Sequence, residues 1–195
     1  VLLVAVVVVV TSLVRSFVLA PFSIPSGSME QTLQVGDRIL VDRLSYRFHD
    51  VRRGDIVVFD GTEAFGRLGN GPGETDYVKR VIGLPGDHVV CCDERGRITV
   101  NGAPLTETRY LYPGDDPSEL KFDEIVPAGR LWLMGDHRSD SLDSRAHLGD
   151  PGGGMVPIDK VVGRVMGVVW PLNRLGGLPD PGPLDAPSTS AEGHR

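Results

Sequence analysis

Tyr77-Val78-Lys79-Arg80-Val81-Ile82-Gly83-Leu84-Pro85-Gly86-Asp87 is the stretch on which the fold turns. Its first six residues are aromatic, β-branched or basic and lack the three-and-four spacing of an amphipathic helix, and Leu-Pro-Gly-Asp then ends the run with turn chemistry. A strand closed by a turn is the reading that satisfies both halves. On such a strand Tyr77, Lys79 and Val81 share a face, so an amine is carried among apolar groups. Outward from it the same pattern repeats. Arg38-Ile39-Leu40-Val41, Asp55 to Phe59, His88 to Cys92, Arg97 to Val100, Arg130 to Met134 and Val161 to Trp170 are short apolar runs of strand length, separated by Gly-Asp, Pro-Gly and Asn-Gly pairs. The sequence therefore predicts a mainly β protein with an antiparallel sheet and at most one short helix, with a hairpin over residues 95–102.

The two ends differ from this body. Residues 1–14 carry no charge and are apolar except for Thr11 and Ser12. As a helix they would span about 21 Å against a hydrocarbon core of about 30 Å. Because the run begins without Met and already inside the apolar stretch, residues 1–20 are read as a trimmed transmembrane helix, continued past Arg15 toward the interface. A cleaved leader fits less well, since Pro21 follows the only plausible cut, and a buried strand of this length would be unusual. Residues 173–195, rich in Gly, Pro, Asp and Ser, predict a disordered tail. A net charge of −6 over 195 residues, with no clustered basic face, argues against a nucleic-acid partner. Phe65 to Thr75 is a Gly-rich excursion without the Gly-Lys-Ser/Thr of a phosphate loop.

Chemistry concentrates in three places. Ile24-Pro25-Ser26-Gly27-Ser28-Met29-Glu30-Gln31-Thr32-Leu33 joins the apolar start to the polar body, and Pro25 and Gly27 shape a turn able to expose the Ser28 hydroxyl. A serine needs a base. A Ser-His-Asp arrangement through His137 and Asp136 is disfavoured because adjacent residues on a strand point apart. Lys79 is the better candidate, because burial would lower its pKa from about 10.4 and keep part of it neutral. Snorkelling of its head to water is the competing reading. Ser118-Glu119-Leu120-Lys121 also matches a Ser-x-x-Lys pattern, but the Lys-Thr-Gly partner of that fold is missing. The third place is Gly135-Asp136-His137-Arg138-Ser139-Asp140-Ser141-Leu142-Asp143-Ser144-Arg145, too irregular for a calcium loop. The adjacent Cys91 and Cys92 read as one buried and one exposed thiol on a strand, with a strained vicinal disulfide as the alternative.

Together with Arg52-Arg53-Gly54-Asp55-Ile56-Val57-Val58-Phe59, these blocks occur in an order that resembles the bacterial type I signal peptidases, or leader peptidases, across most of residues 15–172. The resemblance implies a membrane-anchored serine endopeptidase that removes signal peptides from preproteins after small residues, with no metal or cofactor. It implies a Ser28–Lys79 dyad and an oxyanion hole from the Ser28 N–H and the Ser26 hydroxyl. Ser141 would hydrogen-bond Lys79, Asp143 and Arg145 would form an ion pair bracing the loop, and Asp136 would pair with Arg80. It implies a catalytic β domain over residues 21–87 and 130–172, on the extracytoplasmic face, with a small β subdomain inserted at 88–129. Arg15, Arg38 and Arg43 would by the positive-inside rule point that side inward, against this implication. Gln31 stands where the family commonly has Pro, a departure that removes no catalytic group. Ile24, Met29, Leu33, Ile39, Leu40 and Val41, with Tyr77 from the strand, are candidates for shallow substrate pockets and a membrane-dipping surface, or for core. The partners so implied are preprotein signal peptides and the lipid bilayer, with no obligate protein partner. Rival readings are a self-cleaving Ser-Lys repressor-type protease and a membrane-tethered, non-catalytic β module that binds extended peptides.

Overall fold

The computed structural model describes residues 18–66, 75–182 and 184. At its centre is β4 (Asp76–Gly83), paired antiparallel with β3 (Ile56–Asp60) on one side and β9 (Arg130–Met134) on the other. Ile56, Val57, Val58 and Phe59 are all buried, as a central strand covered on both faces requires, and their β-branched and aromatic side chains suit that setting. Outward from β3 come β11 (Val161–Trp170), β2 (Arg38–Asp42) and β1 (Leu19–Ser23), and beyond β9 lies β10 (Val156–Pro157). A short β12 (Gly176–Gly177) pairs with β11, completing an eight-stranded sheet. The only α-helix lying wholly within the described residues is the single turn α1 (Ser45–Phe48).

A second, four-stranded sheet is built from β5 (His88–Cys91), β6 (Ile98–Val100), β7 (Ala103–Pro104) and β8 (Phe122–Ile125). It lies within residues 88–129, yet its core is shared with the larger sheet. Val89, Ile98, Val100 and Val126 pack in one apolar cluster with Ile82, Trp132 and Met134 of β4 and β9. Gly83 sits at this junction. A Cβ there would come within 2.9 Å of Trp132 Cβ and Val126 Cγ2 and within 2.8 Å of Val89 Cγ2, so only glycine lets the two sheets close on each other.

Three expectations change. Leu19, Ala20 and the residues up to Ser23 form an edge strand rather than the end of a helix, in register from Leu19 opposite Asp42 to Ser23 opposite Arg38. Pro21 is tolerated on an edge strand and would interrupt a helix, and Phe22 packs against the apolar cluster of β2 and β3. The rest of the expected anchor, residues 1–17, lies outside the described residues, among which no helix is long and apolar enough to cross a membrane.

Residues 173–182 and 184, part of the expected disordered tail, are ordered. Arg174 pairs with Asp37, Gly176 and Gly177 pair with Val168 and Gly167, and Leu184 is buried in the apolar cluster of the second sheet. Low apolar content did not prevent order because the segment borrows a strand edge and a buried carboxylate from the body. Residues 183 and 185–195 lie outside the described residues.

The cysteines are not free thiols. Cys91 and Cys92 are joined in a vicinal disulfide across a cis peptide bond. Strand alternation does not separate them, because β5 ends at Cys91 and Cys92 lies beyond it.

Candidate active site

Ser28 and Lys79, 51 residues apart in the sequence, meet in the interior. Lys79 on β4, opposite Val57, is 4% exposed, Ser28 is 7% exposed, and Lys79 Nζ lies 2.6 Å from Ser28 Oγ. Burial among apolar neighbours lowers the Lys79 pKa from 10.5 to about 8, against the opposing pull of the Asp143 and Asp136 carboxylates. The amine is therefore buried rather than snorkelling to water, and at pH 7 about a tenth of it is neutral. Both residues belong to a locally constrained turn and a rigid strand respectively, so their separation is set by the scaffold.

The turn owes its shape to hydrogen bonds from Glu30 N–H to Gly27 O and from Leu33 N–H to Met29 O, each 2.8 Å, and its base is closed by Ile24 N–H donating to Asp37 O at 2.9 Å. Gln31 has a φ of +84°, a left-handed conformation that costs a non-glycine residue about 1–2 kcal/mol and that proline cannot adopt at all. The departure from the family's usual proline is thus written into this turn. Gly135 lets the neighbouring loop approach. A Cβ on it would fall 2.4 Å from the Ser28 carbonyl oxygen and 2.3 Å from Ser141 Oγ.

Two buried ion pairs frame the dyad. Asp136, wholly buried, receives Arg80 Nε at 2.7 Å and Nη2 at 2.6 Å, and also the Thr32 hydroxyl at 2.5 Å. The Arg80 guanidinium stacks 4.2 Å from the centre of the Tyr110 ring and donates to Gly54 O. Asp143 receives Arg145 through Nε at 2.9 Å and Nη2 at 2.7 Å, the Gly135 N–H at 3.0 Å and the Ser141 hydroxyl at 2.8 Å. Burial alone would raise the Asp143 carboxyl, but these donors outweigh it and hold the pKa below the ordinary carboxylate value. Ser141 thus gives its hydrogen to Asp143, and the hydrogen bond of the Lys79 amine is to Ser28 rather than to Ser141, the partner the resemblance implied. With the Asp143 carboxylate ionised and beside it, that hydroxyl has the stronger acceptor there.

Ser28 opens on a cleft of about 380 Å³ lined also by Phe22, Ser23, Ile24, Pro25, Ser26, Met29, Val58, Asp76, Tyr77 and Val78. Ser26 and the Ser28 turn share one wall. Ile24, Met29 and Tyr77 line the cleft as well as the core, whereas Leu40, half-buried on β2, does not reach it. Leu33, Ile39 and Val41 are fully buried and present no membrane-dipping surface. Phe22, Val58, Asp76 and Val78 escaped sequence reasoning, as did Thr32 and Tyr110. Only their register against the Ser28 and Lys79 segments marks them, and register is not legible before the strands are paired.

The competing arrangements fall apart spatially. His137 stacks on Tyr112 with ring centres 3.8 Å apart and meets Glu30, while only its backbone N–H contacts Ser28, through the carbonyl oxygen at 3.1 Å. Ser118 donates to the Leu120 carbonyl within an irregular segment, with Lys121 exposed and no helix to bring the two together.

A family model described as "Signal peptidase, peptidase S26" matches residues 1–170. The chain is 40% identical to the signal peptidase I of Mycobacterium tuberculosis, aligning 89% of this chain with 72% of that protein. It is 38% identical to the probable signal peptidase I of Mycobacterium leprae, over 84% and 72% of the respective chains. It is 41% identical to the signal peptidase I of Leptolyngbya laminosa, over 86% and 77%. A crystal structure of a signal peptidase I from Enterococcus faecalis aligns with a TM-score of 0.43 at 25% identity, over 60% of this chain and 97% of that one. The chain belongs to the signal peptidase family, peptidase S26, a family of serine endopeptidases.

Proposed function

We propose that the chain is a membrane-anchored signal peptidase that cuts preproteins after small residues, with Ser28 as nucleophile and Lys79 as general base. The observation that carries this reading is the 2.6 Å approach of Lys79 Nζ to Ser28 Oγ in a buried setting on the wall of a peptide-sized cleft. With the amine neutral, the Ser28 hydroxyl donates to it, and transfer of that proton accompanies attack of Oγ on the scissile carbonyl carbon. The oxyanion is received by the Ser28 N–H and the Ser26 hydroxyl. The Lys79 ammonium then returns its proton to the departing amine of the mature chain. The remaining ester between Ser28 and the signal peptide is hydrolysed by a water that gives one proton to the same amine, which passes it to the departing Ser28 Oγ and is again neutral.

The substrate fits as an extended strand. β9 pairs with β4 at Arg80, Val81 and Gly83, and the cleft continues along β4 beyond the point where that pairing stops. A peptide laid there would alternate its side chains between apolar pockets bounded by Phe22, Ile24, Met29, Val58 and Val78. The apolar N-terminal run is the proposed anchor, with the β body on the extracytoplasmic face.

The test is cleavage of a detergent-solubilised preprotein bearing an Ala-x-Ala site by the parent chain, Ser28→Ala and Lys79→Arg. Cleavage by the parent and a loss of about 10³-fold or more in both variants is expected. Normal cleavage by Ser28→Ala would refute the nucleophile assignment, and binding without cleavage by the parent would favour a peptide-binding module.

A further inference from the structure

The Ser28 turn does not hold itself in place. Its internal bonds close single turns, and isolated turns of this length are marginal in water. What secures it lies at Thr32 and Asp37. The Thr32 hydroxyl is anchored on Asp136. Asp37, whose side chain is 2% exposed, accepts the Gln34 N–H at 2.9 Å, so its carboxylate caps the C-terminal end of the turn, and its backbone carbonyl binds Ile24 N–H at the other end.

A buried carboxylate needs a counter-charge, and Arg174 supplies it. Nε donates to Asp37 Oδ1 at 2.9 Å, Nη2 donates to Oδ2 at 2.9 Å, and Nη2 also reaches the Thr32 carbonyl at 3.3 Å. Thr32 is therefore gripped by its side chain from Asp136 and by its backbone from Arg174. Arg174 lies past the end of the family match, in the segment that composition marked as a tail. It is fixed there by a 3₁₀ turn over Leu172–Arg174 and by the pairing of β12 with β11.

We propose that Arg174 is a positioning residue for the reaction, which sets the distance between the Ser28 hydroxyl and the Lys79 amine by clamping both Asp37 and the Thr32 carbonyl. The inference rests on Ser28 being the nucleophile. A planar fork is needed, because a lysine ammonium offers a point charge and cannot satisfy both carboxylate oxygens and the carbonyl in one plane.

The experiment measures kcat and KM for preprotein cleavage by the full chain in detergent, for the parent, Arg174→Gln, Arg174→Lys, Asp37→Asn and the double variant Arg174→Gln/Asp37→Asn. All are assayed well below their melting temperatures. Arg109→Ala serves as comparison, since it breaks an ion pair of the same segment, Arg109 with Asp180, in which the two side chains are 57% and 76% exposed. Arg174→Gln is expected to lower kcat about 10- to 100-fold with KM within about twofold, since the cost falls on geometry at the reacting atoms. Arg174→Lys should fall between it and the parent. The double variant should lose no more than the worse single variant, and Arg109→Ala should match the parent. Arg174→Gln should also move the acid limb of the rate profile to higher pH, because a Ser28 turn that swings away leaves Lys79 more hydrated; a purely structural weakening would leave that limb in place. Unchanged kcat in Arg174→Gln, or additive losses in the double variant, would overturn the inference while leaving Ser28 as nucleophile. Cleavage that survives Ser28→Ala would instead overturn the nucleophile reading, and the role of Arg174 with it. Should Arg174→Gln fail to fold, Arg174→Lys decides: parent-like kcat refutes the clamp.

Discussion

Lys79 and Arg80 are neighbours on β4, both basic and both buried, at 4% and 2% exposure, and the protein treats them in opposite ways. Arg80 receives a carboxylate in bidentate geometry, a backbone carbonyl and an aromatic face, so every part of its charge is answered. Lys79 receives a hydroxyl, while the carboxylates of Asp136 and Asp143 act on it from a distance without a hydrogen bond. The first arrangement fixes a loop; the second suits the general base proposed for Lys79. Burial by itself specifies neither outcome, and the direct partner decides which one results.

Breaking the comparison on the Arg80 side should be the most damaging. Asp136→Ala leaves a buried guanidinium and the Thr32 hydroxyl without their acceptor, and stability is expected to fall by about 3–5 kcal/mol, measured by urea unfolding. Equal stability of parent and variant would mean that the pair is dispensable.

On the Lys79 side the sign reverses. In the folded chain the amine loses its proton near 8, against 10.5 for the ordinary side chain, so between these pH values the unfolded chain binds more protons and stability rises with pH. The penalty is in full force below 8 and gone above 10.5. At about 1.4 kcal/mol per pH unit it amounts to about 3 kcal/mol. Lys79→Met should therefore be inactive yet more stable than the parent at pH 7, with the gain disappearing as the pH is raised past 10.5. A variant less stable than the parent at pH 7 would show that the amine is not penalised by its site.

The same amine sharpens the comparison kinetically. Because the proposed base is the neutral form, kcat/KM should rise with pH through about 8. Asp143 raises the Lys79 pKa and Arg145 lowers it, so Asp143→Asn should move this limb to lower pH while lowering the maximum rate. A limb moving upward would contradict the assigned balance of charges. The smallest effect belongs to Ser141→Ala. It removes one donor from Asp143 and leaves Arg145 and the Gly135 N–H in place, so about 1 kcal/mol of stability is expected to go, read as a shift in thermal midpoint.

Much of this was legible in one dimension. The strands from Arg38 to Trp170 show as short β-branched runs between turn pairs, because strand propensity and turn chemistry are local. Ser28, Lys79, Asp136, Asp143 and Arg145 stand out as chemically unusual residues within short motifs. Other features misled, three of them for reasons of tertiary contact. Leu19 to Ser23 continues an apolar run and so reads as helix, although it pairs with β2. Residues 173–182 read as disorder because composition cannot show a strand edge or a carboxylate waiting 137 residues away. Ser141 was expected to bond Lys79 and bonds Asp143 instead, because residue type shows that a hydroxyl can bond but not which partner the fold brings to it.

Sequence alone determined the β class, the residues capable of the chemistry and the family to which they belong, since each of these depends on residue type and close neighbours. Tertiary structure alone decided that the Lys79 amine is dry enough to sit near pKa 8, which residues line the cleft, and that Arg174 reaches back to Asp37. Those properties depend on which distant segments exclude water from a group or bring a charge to it, and that is settled only when the strands are in register.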